Sequence, residues 1–214
     1  MGFFYDPTDS SFIVTSRDKT IKTTVTSSGR VVSKWINDIL RFRRPFNEFI
    51  DLVIGLHTTE SCSDGLHGTS EENPLALLQL CVAGHRCLIF QLNHCDSIPR
   101  ELTELFSNKR VNFVGDRIYF AITKLEKEYG LKMESYVDDL SDLRSRRVDR
   151  PGMTRLDKLE VLWEAMEIMR VEKPTSAIGS DRGSPVLTPD QIEYAALDAF
   201  TSYVLGQWLL EDDI

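Results

Sequence analysis

Hydrophobic and polar positions change rhythm repeatedly along the chain, and each change marks an element. From Phe12 to Thr26, β-branched and polar residues (Ile13, Ile21, Thr23, Val25) flank Arg17-Asp18-Lys19, which predicts a β-hairpin or strand pair. Val32, Trp35, Ile36, Ile39 and Leu40 recur at helical spacing and predict an amphipathic helix of about three turns. The apolar run from Phe49 to Leu56 has the length of a buried strand, and the polar stretch from His57 to Pro74 reads as a long exposed loop. Two further apolar runs, Leu75 to Val82 and Cys87 to Leu92, are split by Ala83-Gly84-His85-Arg86, a hairpin signal.

Pro99 after Ser97 opens a helix carrying Leu102, Leu105 and Phe106, and Val111 to Gly115 is a short strand. Ile118, Ile122, Leu125 and Tyr129 mark a helix that Gly130 ends, and Leu156, Leu159, Leu162, Trp163 and Met166 form another helical stripe. The last helix has Thr188 as its cap, Pro189 as its first residue and Gln191 closing a capping box, and it runs through Leu210. Strands interleaved with helices predict one α/β domain over residues 12–210, a mixed β-sheet flanked by helices, preceded by an N-terminal tail of residues 1–11.

Composition narrows the class. With 42% apolar and 27% charged residues among 214, the chain is neither disordered, collagenous nor a coiled coil. No run approaches the roughly 20 apolar residues of a membrane span, so no membrane partner is expected. The opening residues have neither a basic region nor a long apolar stretch of the secretory kind. Cys62, Cys81, Cys87 and Cys95 contain no CxxC pair and fit free thiols in a reducing, intracellular setting, nuclear or cytoplasmic. Thirty-three acids against 25 Lys and Arg give a net charge of -8, so contact with a polyanion needs a local basic patch.

The order of segments carries a resemblance. Val53-Ile54-Gly55-Leu56 is followed by Asn73-Pro74-Leu75-Ala76-Leu77-Leu78-Gln79-Leu80, and then by Phe113-Val114-Gly115. Lys124-Leu125 and Tyr129-Gly130-Leu131 come next, and last a run from Leu187 through Tyr194 to Ala199. In that order they resemble the Werner-type (DEDDy) 3′–5′ exonucleases, especially the plant branch, over roughly Phe12 to Leu210. The resemblance implies a ribonuclease H-like fold and, in active members, two Mg²⁺ or Mn²⁺ ions clamping the scissile phosphate of single-stranded RNA or DNA. It also implies four carboxylate ligands, with a Tyr four residues before the last one to orient the attacking water.

At those positions the chain departs from the family. His57 and Thr59 stand where the strand Asp and Glu belong, and Ala121 stands at the third Asp. Only Tyr194 and Asp198 of the motif are retained, leaving Asp198 as a single, weak metal ligand against the +4 charge of two ions. Local replacements are Asp116 and Glu60, the latter only if a bulge redirects it. The Lys-Pro of Glu172-Lys173-Pro174-Thr175 and the Ser of Ser180-Asp181-Arg182 persist, but a second Lys and a Trp of the family pattern are missing.

Arg144, Arg146, Arg147, Arg150 and Arg155 form a basic cluster that stands out against the acidic background, read either as a phosphate-contacting arm or as a surface segment paired with Asp138, Asp139, Asp142 and Asp149. The sequence therefore points to an exonuclease-family protein that binds or processes single-stranded nucleic acid with an impaired metal site, a pseudo-enzyme needing no cofactor. Two alternatives stay open. One is an active exonuclease using Mg²⁺ or Mn²⁺ with displaced or subunit-shared ligands, as a homo-oligomer or with related exonuclease subunits. The other is a protein-interaction scaffold.

Overall fold

Eight strands join in one mixed sheet: β1 (Gly2–Asp6), β2 (Ser11–Ser16), β3 (Lys19–Thr26), β4 (Leu52–Glu60), β5 (Leu75–Val82), β6 (Arg86–Gln91), β7 (Val111–Gly115) and β8 (Tyr136–Asp139). Their spatial order is β1-β2-β3-β6-β5-β4-β7-β8, with β3–β6, β4–β7 and β7–β8 parallel and the other pairs antiparallel. Helices fully within the described residues include α1 (Gly29–Arg41), α2 (Arg100–Phe106), α3 (Ile118–Tyr129), α4 (Leu140–Val148) and α5 (Pro189–Glu211). This computed structural model describes residues 2–6, 11–16, 19–43, 48–61, 73–149, 151–154, 156, 165, 167, 170 and 172–211.

Central strand β5 is buried along its whole length, which is why it reads as a continuous apolar run rather than an alternating one. Alternation reappears where the two faces meet different helices. Leu52, Ile54 and Leu56 of β4 join Val32, Trp35 and Ile36 of α1, Phe106 of α2 and Leu125 of α3 in one core. Val53 joins Ala195, Ala199 and Tyr203 of α5 on the opposite face. Burying each of the Val, Leu, Ile and Phe side chains among these contributes about 1.5–3 kcal/mol, so both faces are well fastened. Gly55 is required where α5 crosses β4: an added Cβ would sit 2.4 Å from both the Ala199 carbonyl oxygen and the Tyr203 nitrogen.

Helix ends are held by side chains from both neighbouring and distant segments. Thr188 and Gln191 form the expected reciprocal box, the Thr188 N–H donating to Gln191 Oε1 (2.8 Å) and the Gln191 N–H to Thr188 Oγ1 (3.3 Å). Asp139 caps two helices at once, accepting from the Ile118 N–H (3.1 Å) at the start of α3 and from the Ser141 N–H (2.9 Å) in α4. Asp96 accepts from the Gly29 N–H (2.7 Å) at the start of α1, and that bond holds its carboxyl below the usual value. A lowered acid stabilises the fold above its unfolded pKa and loses that contribution as pH falls through the folded value. Asp96→Asn is therefore expected to flatten the decline of Tm between pH 7 and 3, read by circular dichroism; an unchanged decline would remove Asp96 from the capping role.

Several expectations need correction. Residues 2–6 form an edge strand on β2 rather than part of a free tail, because Phe3, Phe4 and Tyr5 follow the extended pairing register of β2. Strand β4 continues past Leu56 to Glu60, so His57 and Thr59 lie in the sheet and not in a loop. Pairing with Leu80 through Leu75 of β5 supplies the hydrogen bonds that carry these polar residues into the sheet. β8 and α4 have no clear periodicity: β8 has two apolar and two acidic residues, and the buried residues of α4 are two leucines, Leu140 and Leu143, and a charged one, Arg147. The stripe from Leu156 to Met166 falls mostly outside the described residues; Leu156 itself is exposed.

Candidate functional site

Three segments meet at one end of the sheet. Two-residue alternation turns His57 and Thr59 of β4 to the face carrying α5, as it does Gly55. Because Gly55 lets α5 lie directly on β4, Asp198 reaches the strand, and His57 Nε2 is 3.5 Å from Asp198 Oδ2. Ala121, in the first turn of α3, shares a cleft of about 230 Å³ with His57 and Thr59, together with Glu60, Asp116, Arg117 and Arg182. A second cleft of about 370 Å³ adjoins it through His57 and Asp116 and is lined by Ser141, Arg144, Lys173, Asp198, Thr201 and Ser202. His57, Thr59, Ala121 and Asp198 thus belong to one place, although they come from three separate elements.

What fills that place is chemically unlike a divalent-metal site. Asp198 is only 10% exposed at its side chain: the Lys173 ammonium engages Oδ1, and the His57 ring lies 3.5 Å from Oδ2. The Thr59 hydroxyl accepts a 2.7 Å bond from the Gln79 amide, and Ala121 offers no donor. Among the described residues no group of three or more His, Cys, Asp or Glu side chains could hold a metal ion. Hard cations want several carboxylate oxygens, so the residues present do not fit a pair of Mg²⁺ or Mn²⁺ ions.

Of the nearby acids, Glu60 is committed elsewhere and Asp116 is exposed where the two clefts meet. The pairing of β4 with β5 does slip between Thr59 and Glu60, as a bulge would require. Yet the Glu60 carboxylate goes to the buried Lys124 ammonium at 2.8 Å, and Lys124 also meets the Asn73 carbonyl and, at 3.6 Å, Glu128. Asp116 is exposed on the β7–α3 turn and lines both clefts. Arg117, the next residue, has φ of 53°, an uncommon left-handed conformation at the junction.

Cations surround the retained Tyr. Lys173 Nζ and Arg182 Cζ lie 5.1 and 4.5 Å from the Tyr194 ring centre. They are delivered by residues 172–188, which are fastened by side-chain donors. Gln91 donates to the Ser184 and Pro185 carbonyls, Asn93 to Gly183, and Gln191 to Ser180 Oγ and the Asp181 carbonyl. Neither Lys173 nor Arg182 was singled out from the sequence as an occupant of the site. The only signals were the retained Lys-Pro and the Arg where the family pattern has Trp.

The Arg cluster divides. Arg144 lines the larger cleft beside Asp198. Arg146, expected at phosphate, is paired with Asp138. Arg147 does not fit a phosphate-contacting role: it is buried, stacks 3.9 Å from the Trp208 ring centre and donates to the Trp208 carbonyl, fastening α4 to α5. A guanidinium spent on packing is not available to a ligand. Arg150 and Arg155 lie outside the described residues.

Comparison with known proteins follows the same lines. The mouse bifunctional 3′-5′ exonuclease/ATP-dependent helicase WRN is 26% identical over 193 residues, covering 80% of this chain and 14% of that protein. Exonuclease 3′-5′ domain-containing protein 2 of Drosophila melanogaster is 31% identical over 140 residues, 65% of this chain and 23% of its own length. The chain therefore spans less than a quarter of either relative. Escherichia coli RNase D, an exoribonuclease involved in structured RNA processing, has the same fold at a TM-score of 0.64 and 15% identity, over 89% of this chain and 45% of RNase D. No helix among the described residues is long and apolar enough to cross a membrane. The profile of the 3′-5′ exonuclease domain matches residues 56–211, from the strand bearing His57 to the end of the helix bearing Asp198, and the chain belongs to that family with its ribonuclease H-like fold.

Proposed function

We propose that this domain binds single-stranded nucleic acid in the exonuclease cleft and does not hydrolyse it through a divalent-metal pair. The observation that carries the reading is the state of Asp198: its Oδ1 is held by the Lys173 ammonium, His57 stands 3.5 Å from its Oδ2, and the three partner positions carry no carboxylate. One carboxylate neutralised by an ammonium leaves nothing to offset the charge of two divalent ions. A place in the Werner-like branch is part of this proposal, supported by the likeness to WRN, and its plant-type character is proposed on the order of segments alone. So is an intracellular, reducing setting, supported by the free thiols of Cys81, Cys87 and Cys95.

The test is degradation of 5′-labelled single-stranded RNA and DNA with Mg²⁺ and with Mn²⁺, beside an anisotropy measurement of binding. Binding without 3′ trimming is the expected result. Asp116 sustains the second reading, an active exonuclease with a displaced ligand, since it lines both clefts. Trimming that disappears in Asp116→Asn would establish that reading and sink the first. Absence of binding at any salt would leave the interaction-scaffold reading instead.

A further inference from the structure

The sign of the charge around this cleft is the reverse of what a metal-clamping site needs. A four-carboxylate site carries about -4 and waits for cations. Here four cationic side chains, Arg117, Arg144, Lys173 and Arg182, line the two joined clefts against three carboxylates, Glu60, Asp116 and Asp198. One of those three, Glu60, is further neutralised by Lys124 from behind. The excess is one charge over the joined clefts, and in the larger one Arg144 and Lys173 balance Asp116 and Asp198, within a chain whose net charge is -8.

Lys173 is the centre of the arrangement. Its ammonium sits on Asp198, in the position of charge where the family's chemistry calls for a metal ion. An ammonium has three N–H donors, so pairing with one carboxylate oxygen leaves donors for a second acceptor. Arg144 reaches the same cleft from α4, with its five donors suited to phosphate oxygens. Two polar atoms in the cleft walls, Thr201 Oγ1 and Arg182 Nε, are buried with no hydrogen-bond partner among the described residues. The larger cleft, about 370 Å³, falls in the range of roughly 300–1,000 Å³ typical of small-ligand pockets.

We infer that this cleft is a metal-independent receptor for the phosphate of a single strand's 3′-terminal nucleotide, with Lys173 and Arg144 supplying the positive charge that divalent ions supply in an active exonuclease. The inference rests on the proposed binding role and specifies its chemistry. It inverts the part played by Asp198. In a metal-dependent site that carboxylate is needed for binding; here it competes with the phosphate for Lys173.

The experiment titrates adenosine 5′-monophosphate, as the smallest probe of a terminal nucleotide, into the whole chain by calorimetry in EDTA and again with millimolar Mg²⁺. Saturable binding in EDTA that Mg²⁺ does not strengthen is expected. Removing one negative charge several ångströms from the phosphate should make Asp198→Asn bind about tenfold more tightly, and Arg144→Gln about tenfold more weakly. Thermal melts of each variant establish that it is folded. Binding that appears only with Mg²⁺ or Mn²⁺, or that weakens in Asp198→Asn, overturns the inference, as does an absence of binding in both buffers. The outcome is separable from that of the proposed function: an oligonucleotide bound without trimming while the monophosphate fails would reject this receptor alone.

Discussion

Combining His57→Asp, Thr59→Glu and Ala121→Asp in one chain is expected to create a divalent-cation site that the natural chain lacks. His57, Thr59 and Ala121 line one cleft, and Asp198 is within 3.5 Å of the His57 ring, so three new carboxylates would converge with the existing one. Without metal they repel one another, and Tm in EDTA should fall. With Mn²⁺ at about 100 times its Kd the bound state gains roughly 2.7 kcal/mol. For a domain of this length that corresponds to a Tm rise of about 5–10 °C. The natural chain should show no such shift. Adding Lys173→Ala should tighten Mn²⁺ further, because the ammonium no longer competes for Asp198. Differential scanning fluorimetry across Mn²⁺, Mg²⁺ and EDTA measures all of this, with oligonucleotide trimming as a second readout. A triple variant that ignores Mn²⁺ would mean the positions do not form a ligand set.

Gly55→Ala should be among the most damaging single changes in the chain. The new methyl would meet two backbone atoms of α5 at 2.4 Å, and backbone cannot rotate aside as a long side chain can. Either the helix lifts from β4 or the strand bends, at about 3 kcal/mol. Tm should fall by roughly 6–12 °C. The same lift would part Asp198 from His57, since Ala199 is the helix residue that Gly55 touches. Gly84→Ala is the control: its methyl meets nothing within 4 Å and is opposed only by a φ of +74°, which costs about 1 kcal/mol. Urea unfolding of both variants beside the natural chain gives the comparison. Equal losses would show that the close approach at Gly55 has little energetic weight.

Most elements were legible because one physical signal dominated each. The helix of Val32, Trp35, Ile36 and Ile39 buries a single face, so its 3.6-residue period is plain. Gly130 ends α3 in the left-handed conformation that its type favours, and Thr188 and Gln191 form the box that their spacing suggests. β8 and α4 were not legible, because what holds them is long-range: parallel pairing to β7, the double cap from Asp139, and Arg147 on Trp208. Such contacts leave little trace in local periodicity.

The same division applies to the site. The sequence by itself determined that three of four ligand positions lack a carboxylate, because the identity of a side chain is fixed whatever the fold. The two-residue spacing of His57 and Thr59 is in the sequence too, but that both lie on one strand face follows from the extension of β4 to Glu60. Only the tertiary structure decided where the charges go. Lys173 is 25 residues from Asp198 along the chain, Lys124 is 64 from Glu60, and Arg147 is 61 from Trp208. A long, flexible side chain can reach many partners, and its choice depends on which burial leaves fewest charges unpaired. That is a property of the packed domain, and it gives these cations different places: Arg147 fastens α4 onto α5, while Arg144 and Lys173 line the cleft of Asp198.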